Sequence, residues 1–181
     1  MVVWLLDEKG ADVNGTAEDG KIALHYLNPI DILTALLDRG ANPAVADFDG
    51  VLPLMLRAAR GSVDGMARLL QDPRARATLN EQKGHGNIAL HYAISGEAEG
   101  SVRKMNLLLQ CGGDPTLTNN KGQTPLDLVR HHSPNHHAAI ALFEHALAEA
   151  EKASFLVNAR RLAVAANGTT VAPSCLQARV A

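Results

Sequence analysis

The stretch Lys121-Gly122-Gln123-Thr124-Pro125-Leu126-Asp127 is the last of four related copies of one seven-residue pattern. The earlier copies read DGKIALH at 19–25, DGVLPLM at 49–55 and HGNIALH at 85–91. Each copy has glycine second and leucine sixth, and successive glycines lie 30, 36 and 36 residues apart. A pattern that returns at such a period indicates a repeat architecture, in which each unit buries its apolar face against its neighbours.

A second pattern alternates with the first. It reads LLDEKGADVN at 5–14, LLDRGANP at 36–43 and LLQCGGDP at 108–115. A worn copy follows Leu69-Leu70, where Gln71-Asp72-Pro73 replaces the glycine. A Leu-Leu pair is typical of the buried end of a helix, and the glycine after it can take the left-handed conformation that ends that helix.

The first pattern predicts a turn followed by a helix start. Its glycine and polar neighbours favour a β-turn, which we call a finger. In the last copy Thr124 can cap the free N–H groups, and Pro125 fits the first helical position. Ile22 and Ile88 stand where this threonine would be, so we expect those caps to be lost at about 0.5–2 kcal/mol each.

Over residues 1–150 the chain resembles the ankyrin repeat. That repeat consists of a finger, a short helix opened by Thr-Pro-Leu-His, a longer helix and the sequence Gly-Ala-Asp-Val-Asn. The resemblance implies a mainly α solenoid of helix-turn-helix units with β-turn fingers, plus a C-terminal capping helix. We expect a half repeat consisting of its second helix at 1–15, and four repeats at about 16–45, 46–81, 82–118 and 119–150. A helical extension follows at 151–181. Because the chain starts inside a second helix, one interpretation is that its ends are cut.

The capping helix is predicted from apolar spacing between 138 and 166. Ile140, Phe143 and Leu147 share one face, and a second face carries apolar residues from Phe155 to Ala166. We expect the second face to cover the open end of the stack, since the last repeat of an array needs such a cap.

Composition narrows the function classes. The chain has 17 basic and 19 acidic residues, a net charge of -2, and no run of like charge suited to nucleic acid. It has two cysteines in no metal-binding pattern, which favours a reduced intracellular protein, cytoplasmic or nuclear. We find no apolar run long enough for a membrane span and no phosphate loop, HExxH or GxSxG motif. We therefore expect a protein without a catalytic role or a cofactor, and a monomer.

The histidines admit several interpretations. The resemblance implies that His25 and His91 are structural and bond the backbone of the neighbouring repeat. The cluster at 131, 132, 136 and 137 is interpreted first as a hydrophilic turn between two helices. A metal- or pH-responsive turn is the alternative, but adjacent helical side chains point about 100° apart, so all four can hardly converge on one ion. Arg57 stands where the family usually has alanine, and we expect it either to snorkel or to reach a partner.

The resemblance implies a protein partner, bound by the finger tips and the exposed side of each first helix. Carried over position by position, the predicted partner-binding residues are Glu18, Asp19, Lys21, Phe48, Asp49, Val51, Arg60, His85, Asn87, Ser95, Asn120, Lys121, Gln123, His131 and His132. Phe48 is the preferred anchor, because a turn tip is a poor place to bury an aromatic ring; the alternative is that it folds onto the next finger.

Charge along the predicted finger tips changes sign. The first two fingers are acidic and the later ones neutral to basic, because the former carry Glu18, Asp19, Asp47 and Asp49 and the latter Lys83, His85 and Lys121. This gradient fits a partner with a basic segment at the first two fingers, or it is an ordinary solvated surface. Two further functions stay open: a substrate adaptor that docks a modifying enzyme through the C-terminal helix, and the metal- or pH-responsive binder that uses the His131–His137 turn.

Overall fold

The computed structural model describes residues 10–95, 98–132 and 137–167, without the side chains of 95, 98, 99, 132 and 158–167. The predicted helix of the half repeat, at 1–9, lies outside this range, as do the end of the C-terminal extension at 168–181 and most of the histidine turn. The chain divides into two compact units, Met1–Ala146 and Leu147–Ala181.

The regular structure in the described part of the chain is almost entirely helical. Its helices are α1 (Ile30–Asp38), α2 (Pro53–Arg60), α3 (Val63–Leu69), α4 (Pro73–Ala77), α5 (Ala89–Tyr92), α6 (Ala98–Gln110), α7 (Pro125–His132) and α8 (His137–Asn167). Two 3₁₀ turns lie at Ala23–His25 and Ala93–Ser95. The one extended pairing among described residues is an isolated bridge between Lys83 and Asn87.

The first unit is built in two layers. The first helices stack on one another in the order 3₁₀ turn 23–25, α2, α5 and α7, and the second helices α1, α3 and α6 form the other layer. Each element therefore packs mainly on the corresponding element of the next repeat, which is the defining contact of a solenoid. The predicted mainly α stack of helix-turn-helix units is confirmed.

The leucine shared by all four copies of the first pattern lies in the core. Leu24, Leu54, Leu90 and Leu126 are at most 5% exposed. Burying each of these side chains stabilises the fold by about 1.5–3 kcal/mol. The pattern therefore marks the residues that join one repeat to the next.

Helix starts use two different caps. Thr124 behaves as predicted: its Oγ1 accepts from the Asp127 N–H at 3.2 Å, and Asp127 Oδ2 accepts from the Thr124 N–H at 2.9 Å. At the starts without threonine, the Ile22 N–H donates to His25 Nδ1 at 3.1 Å, and the Ile88 N–H donates in the same way to His91. Half of the expected cap is thus retained through histidine.

Helix ends follow the predicted glycine pattern. After α1, Gly40 has a φ of 85°. The Ala41 N–H donates to Leu36 O and the Gly40 N–H to Leu37 O, both at 3.0 Å. This pair of bonds is the Schellman arrangement, which satisfies the last carbonyls of the helix. The same two bonds recur after α6 at residues 108–113.

Asparagines tie the loops of successive repeats together. Asn14 Oδ1 accepts from the Asn42 N–H at 2.7 Å, and Asn80 Oδ1 accepts from the Asp114 N–H at 2.9 Å. Asn80 also donates from Nδ2 to Gly112 O at 3.0 Å. Both side chains therefore have a structural role.

The one-turn helix α4 was not predicted from the sequence. Asp72 caps it by accepting from the Arg74 N–H at 2.8 Å, and Pro73 is its first residue. Hydrogen bonding to Arg74 lowers the pKa of the Asp72 carboxyl. An Asp-Pro pair is typical of a helix start, so the start of this helix could have been predicted from Asp72-Pro73.

The prediction for Arg57 is wrong. Its side chain is 2% exposed, and it neither snorkels nor faces a partner. Its Nη2 donates to Tyr26 O at 3.3 Å, and its Nε has no partner among the described residues. Lys104, 4% exposed, makes the equivalent bond one repeat later, from Nζ to Ala59 O at 3.3 Å. Burial lowers the pKa of both side chains, while each cation stabilises carbonyls at the end of a first helix.

The second unit contains the later part of α8. The predicted helix at 138–166 agrees with the observed bounds of α8. Phe155, Leu156 and Val157 are 73%, 61% and 53% exposed, and Lys152 Nζ pairs with Glu149 at 2.8 Å. The capping role of this segment stays a prediction. In the part of the chain that is described, no helix is both long and apolar enough to cross a membrane.

Candidate functional site

Four five-residue fingers have the same closed geometry. They span 17–21, 47–51, 83–87 and 119–123, and in each the first N–H donates to the last carbonyl oxygen, at distances from 2.8 to 3.2 Å. The glycine in the fourth position has a φ between 73° and 80° in every finger. The predicted β-turn fingers are therefore present.

Side chains at the base of two fingers hold the turns rigid. Asp47 Oδ1 accepts from the Asp49 and Val51 N–H groups at 3.1 and 2.8 Å. Asn119 Oδ1 accepts in the same manner from Lys121 and Gln123, at 2.9 and 3.1 Å. A finger with both its ends and its tip bonded presents its exposed side chains from a preorganised backbone.

Neighbouring fingers also contact one another. The Phe48 N–H donates to Asp19 O at 3.1 Å, and the Asn120 N–H donates to His85 O at 3.0 Å. A methyl group at Gly20 would lie 2.6 Å from Cδ1 of Phe48. The second and third fingers approach as well, since a methyl group at Gly50 would lie 3.2 Å from the backbone N of Gly84. The tips thus form a continuous row rather than four separate loops.

His25 and His91 are buried and connect the second and fourth fingers, respectively, to the preceding repeat. His25 Nε2 lies 3.0 Å from Val51 O, and His91 Nε2 lies 2.9 Å from Gln123 O. Because Nδ1 of each ring accepts from a backbone N–H, the neutral tautomer with a proton on Nε2 satisfies both bonds. Burial lowers the pKa of His91, against the opposing effect of its bond to Gln123. The structural role that the resemblance implied agrees with this geometry.

The predicted partner-binding residues fall into three groups. Glu18, Asp19, Phe48, Asp49, Arg60, His85, Asn120, Lys121 and His131 are exposed. Lys21, Val51, Asn87 and Gln123 are half-buried in the finger walls. Ser95 and His132 belong to helical segments, and their side chains lie outside the described part of the structure.

The charge gradient is weaker than the sequence suggests. Lys21 Nζ pairs with Asp19 at 2.6 Å, and this bond lowers the pKa of Asp19 and raises that of Lys21. Asp47 is 8% exposed, because its carboxylate is used inside the turn. At the later fingers, Lys83 Nζ lies 3.3 Å from Glu81. The first fingers are thus less acidic than predicted, because Lys21 neutralises Asp19 within the same finger and Asp47 is buried inside its own turn.

Phe48 stands out on the row of tips. Its side chain is 81% exposed, the highest value among the large apolar residues that are described. One side of its ring rests over Gly20 of the preceding finger, so it does not fold onto the following one.

A groove lies between the third and fourth fingers. It has a volume of about 360 Å³ and is lined by His85, Asn87, Asn119, Asn120, Lys121, Gln123 and Leu128. Five of these seven were predicted to bind a partner, whereas Asn119 and Leu128 were missed. In the sequence Asn119 is explained by its role in the turn, so nothing marked it as a binding residue. Leu128 comes into the groove only through the packing of α7.

The histidine turn shows no metal cluster in the part that can be described. Residues 133–136 and the side chain of His132 lie outside it. Among the described residues, no three His, Cys, Asp or Glu side chains are grouped so that they could hold a metal ion.

Known proteins share the repeat. The family model described as ankyrin repeat matches residues 85–120. NF-kappa-B inhibitor delta of Homo sapiens is 34% identical over 108 residues, which are 56% of this chain and 33% of that protein. Human ankyrin repeat and SOCS box protein 3 is 30% identical over 97 residues, 54% of this chain and 18% of its own length. Human SH3 and multiple ankyrin repeat domains protein 2 is 30% identical over 146 residues, 78% of this chain and 8% of that protein. The chain therefore spans a third or less of these relatives.

Proposed function

Because the chain is an ankyrin-repeat protein, we propose that it is a non-catalytic binding module that holds a protein partner on the row of finger tips. Ankyrin repeats indicate a protein–protein interaction module, and the finger surface is the part of this chain best suited to that role. Its backbone is preorganised by the turn and inter-finger bonds, so that little ordering entropy is lost on binding.

Phe48 is the observation that carries the proposal. An aromatic side chain that is 81% exposed contributes little to the stability of the free chain. Its backbone N–H is bonded to Asp19 O, which keeps the ring at a defined place beside polar neighbours. Aromatic residues in such surroundings are frequent hot spots of protein interfaces, where truncation typically weakens binding by 2 kcal/mol or more.

The test is a matched pair of aromatic substitutions. Phe48→Ala and Phe155→Ala each remove a highly exposed phenylalanine, one from the fingers and one from the second unit. Proteins retained from a source-cell lysate by the wild-type chain are identified, and the affinity of each purified candidate is then measured with both variants. We expect Phe48→Ala alone to weaken binding about thirtyfold or more, with unchanged helical circular dichroism. Equal affinity of all three chains would contradict the proposal.

A second candidate function is supported by the exposed apolar run Phe155–Val157. These three side chains are more than half exposed within α8, and apolar surface of this kind marks protein contacts. They suit an adaptor in which the fingers hold one protein while this segment docks a modifying enzyme. In the same experiment, a partner lost with Phe155→Ala and with deletion of residues after 150, but retained by Phe48→Ala, would support this function instead.

A further inference from the structure

The groove between the third and fourth fingers lacks the charge compensation found at the other finger lysines. Lys21 pairs with Asp19 and Lys83 pairs with Glu81. Lys121 is exposed, and no carboxylate among the described residues pairs with it. His85 lines the same groove, and no acidic residue is part of the lining. The groove is therefore a place where a basic side chain is presented without an internal partner.

The lining of the groove also offers side-chain amides. The amide groups of Asn120 and Gln123 are part of it and supply donors and acceptors. An extended peptide backbone, with its alternating N–H and C=O groups, matches this kind of lining.

The walls are also held in place before any ligand arrives. Gln123 O accepts from His91 Nε2 at 2.9 Å, and Asn119 Oδ1 holds the Lys121 and Gln123 N–H groups. The Asn120 N–H is bonded to His85 O across the two fingers. A volume of about 360 Å³ lies at the lower end of the range for ligand sites and suits a short segment rather than a folded domain.

We infer that this groove takes an extended peptide segment of the partner that carries an aspartate or glutamate, with the carboxylate beside Lys121 and His85 and the peptide backbone beside the amides of Asn120 and Gln123. The inference rests on the proposed function and specifies the chemistry of one part of the binding surface. It reverses the emphasis of the sequence, which pointed to a basic segment at the first two fingers. Pairing of Asp19 and burial of Asp47 remove much of that acidic charge, whereas Lys121 stays available.

The test is a selection from displayed random 12-residue peptides fused through their C-termini, so that only side chains supply carboxylates. The full chain is compared with Lys121→Glu and with the matched control Lys83→Glu, whose lysine is paired with Glu81 and is not part of the groove lining. We expect the wild-type and control chains to enrich peptides with aspartate or glutamate. Lys121→Glu should bind those peptides about tenfold more weakly or worse, and the wild-type affinity should fall as salt is added.

Several results would overturn the inference. One is enrichment of peptides without acidic residues, or of none above the background of beads without protein. Another is equal affinity of wild type and Lys121→Glu for the selected peptides. A third is Lys121-dependent binding of a single-stranded 12-nucleotide RNA when no acidic peptide binds. Peptides that depend on Phe48 but not on Lys121 would refute this inference while leaving the proposed function intact.

Discussion

Stacking of the third and fourth fingers can be measured by placing one methyl group at Gly86. Its φ is 76°, and a Cβ atom there would lie 2.7 Å from the backbone N of Asn120. Gly122 offers a matched control, because its φ is 73° and no heavy atom lies within 4 Å of the equivalent position. The two substitutions Gly86→Ala and Gly122→Ala therefore share the same backbone strain and differ only in the contact between fingers.

The expected difference follows from these distances. Alanine in the left-handed region costs about 1–2 kcal/mol in either variant. At Gly86 the methyl group meets backbone, which cannot rotate away, and overpacking of this kind costs about a further 1–3 kcal/mol. For a chain of this size, we expect Gly86→Ala to melt roughly 2–12 °C below Gly122→Ala. The bond from the Asn120 N–H to His85 O should weaken as well.

Thermal and urea unfolding followed by far-ultraviolet circular dichroism would measure the difference. Because repeat arrays can lose two-state behaviour, the two variants are compared by transition midpoints only if their slopes agree with that of the wild type. Equal midpoints for Gly86→Ala and Gly122→Ala would refute the packing of finger against finger on which the preorganised surface depends.

Three other substitutions test the core and its buried polar groups. Burial lowers the pKa of His91 in the folded chain, so its contribution to stability should be present above pH of about 6.5 and be lost below it, by up to about 1.4 kcal/mol per pH unit. The difference in unfolding free energy between wild type and His91→Gln should therefore shrink between pH 7 and pH 5. A difference that stays constant would argue against a neutral, hydrogen-bonded ring. Arg57→Met removes a buried cation whose Nε has no described partner, so the free energy of unfolding measured in urea should rise by about 1 kcal/mol. A clear decrease would mean that the bond to Tyr26 O outweighs the cost of burying the cation. Leu90→Asp places a carboxylate at a position that is 1% exposed. We expect the free energy of unfolding to fall by at least about 4 kcal/mol, and the cooperative transition measured by calorimetry to broaden or disappear. An unchanged transition would contradict the alignment of the repeats.

The architecture could be predicted from the sequence because its signals are local and recur. Gly122 and Thr124-Pro125 specify a turn and a helix start within five residues, and their physical meaning does not depend on the rest of the chain. Repetition of that pattern, with a buried leucine at a fixed place in each copy, then implied that the units stack on one another. The helix α4 was not predicted because the repeat alignment treats Asp72-Pro73 as a degenerate copy of the glycine pattern, although the pair is also a helix-start signal.

Parts of the candidate site were also within reach of the sequence. Placement of Phe48 and Lys121 at finger tips follows from the position of the glycine in each copy. Their exposure does not, since a tip side chain can rest on either neighbouring finger or point into solvent. For Phe48, the backbone of Gly20 decides the outcome, because only a residue without a Cβ leaves room for the ring on that side.

The sequence by itself therefore determined the period, the turns and the helices, since these depend on backbone preferences of neighbouring residues and on apolar spacing. Tertiary structure alone decided which contacts form between repeats. Arg57 is buried against Tyr26 O and Lys104 against Ala59 O, and the ring of Phe48 lies over Gly20 of the preceding finger. The charges of the fingers are mostly settled locally, since Lys21 pairs with Asp19, Lys83 pairs with Glu81 and Asp47 is bonded inside its own turn. Contacts between repeats depend on distances of a few ångströms between residues far apart in sequence, and those distances are set only when the repeats stack.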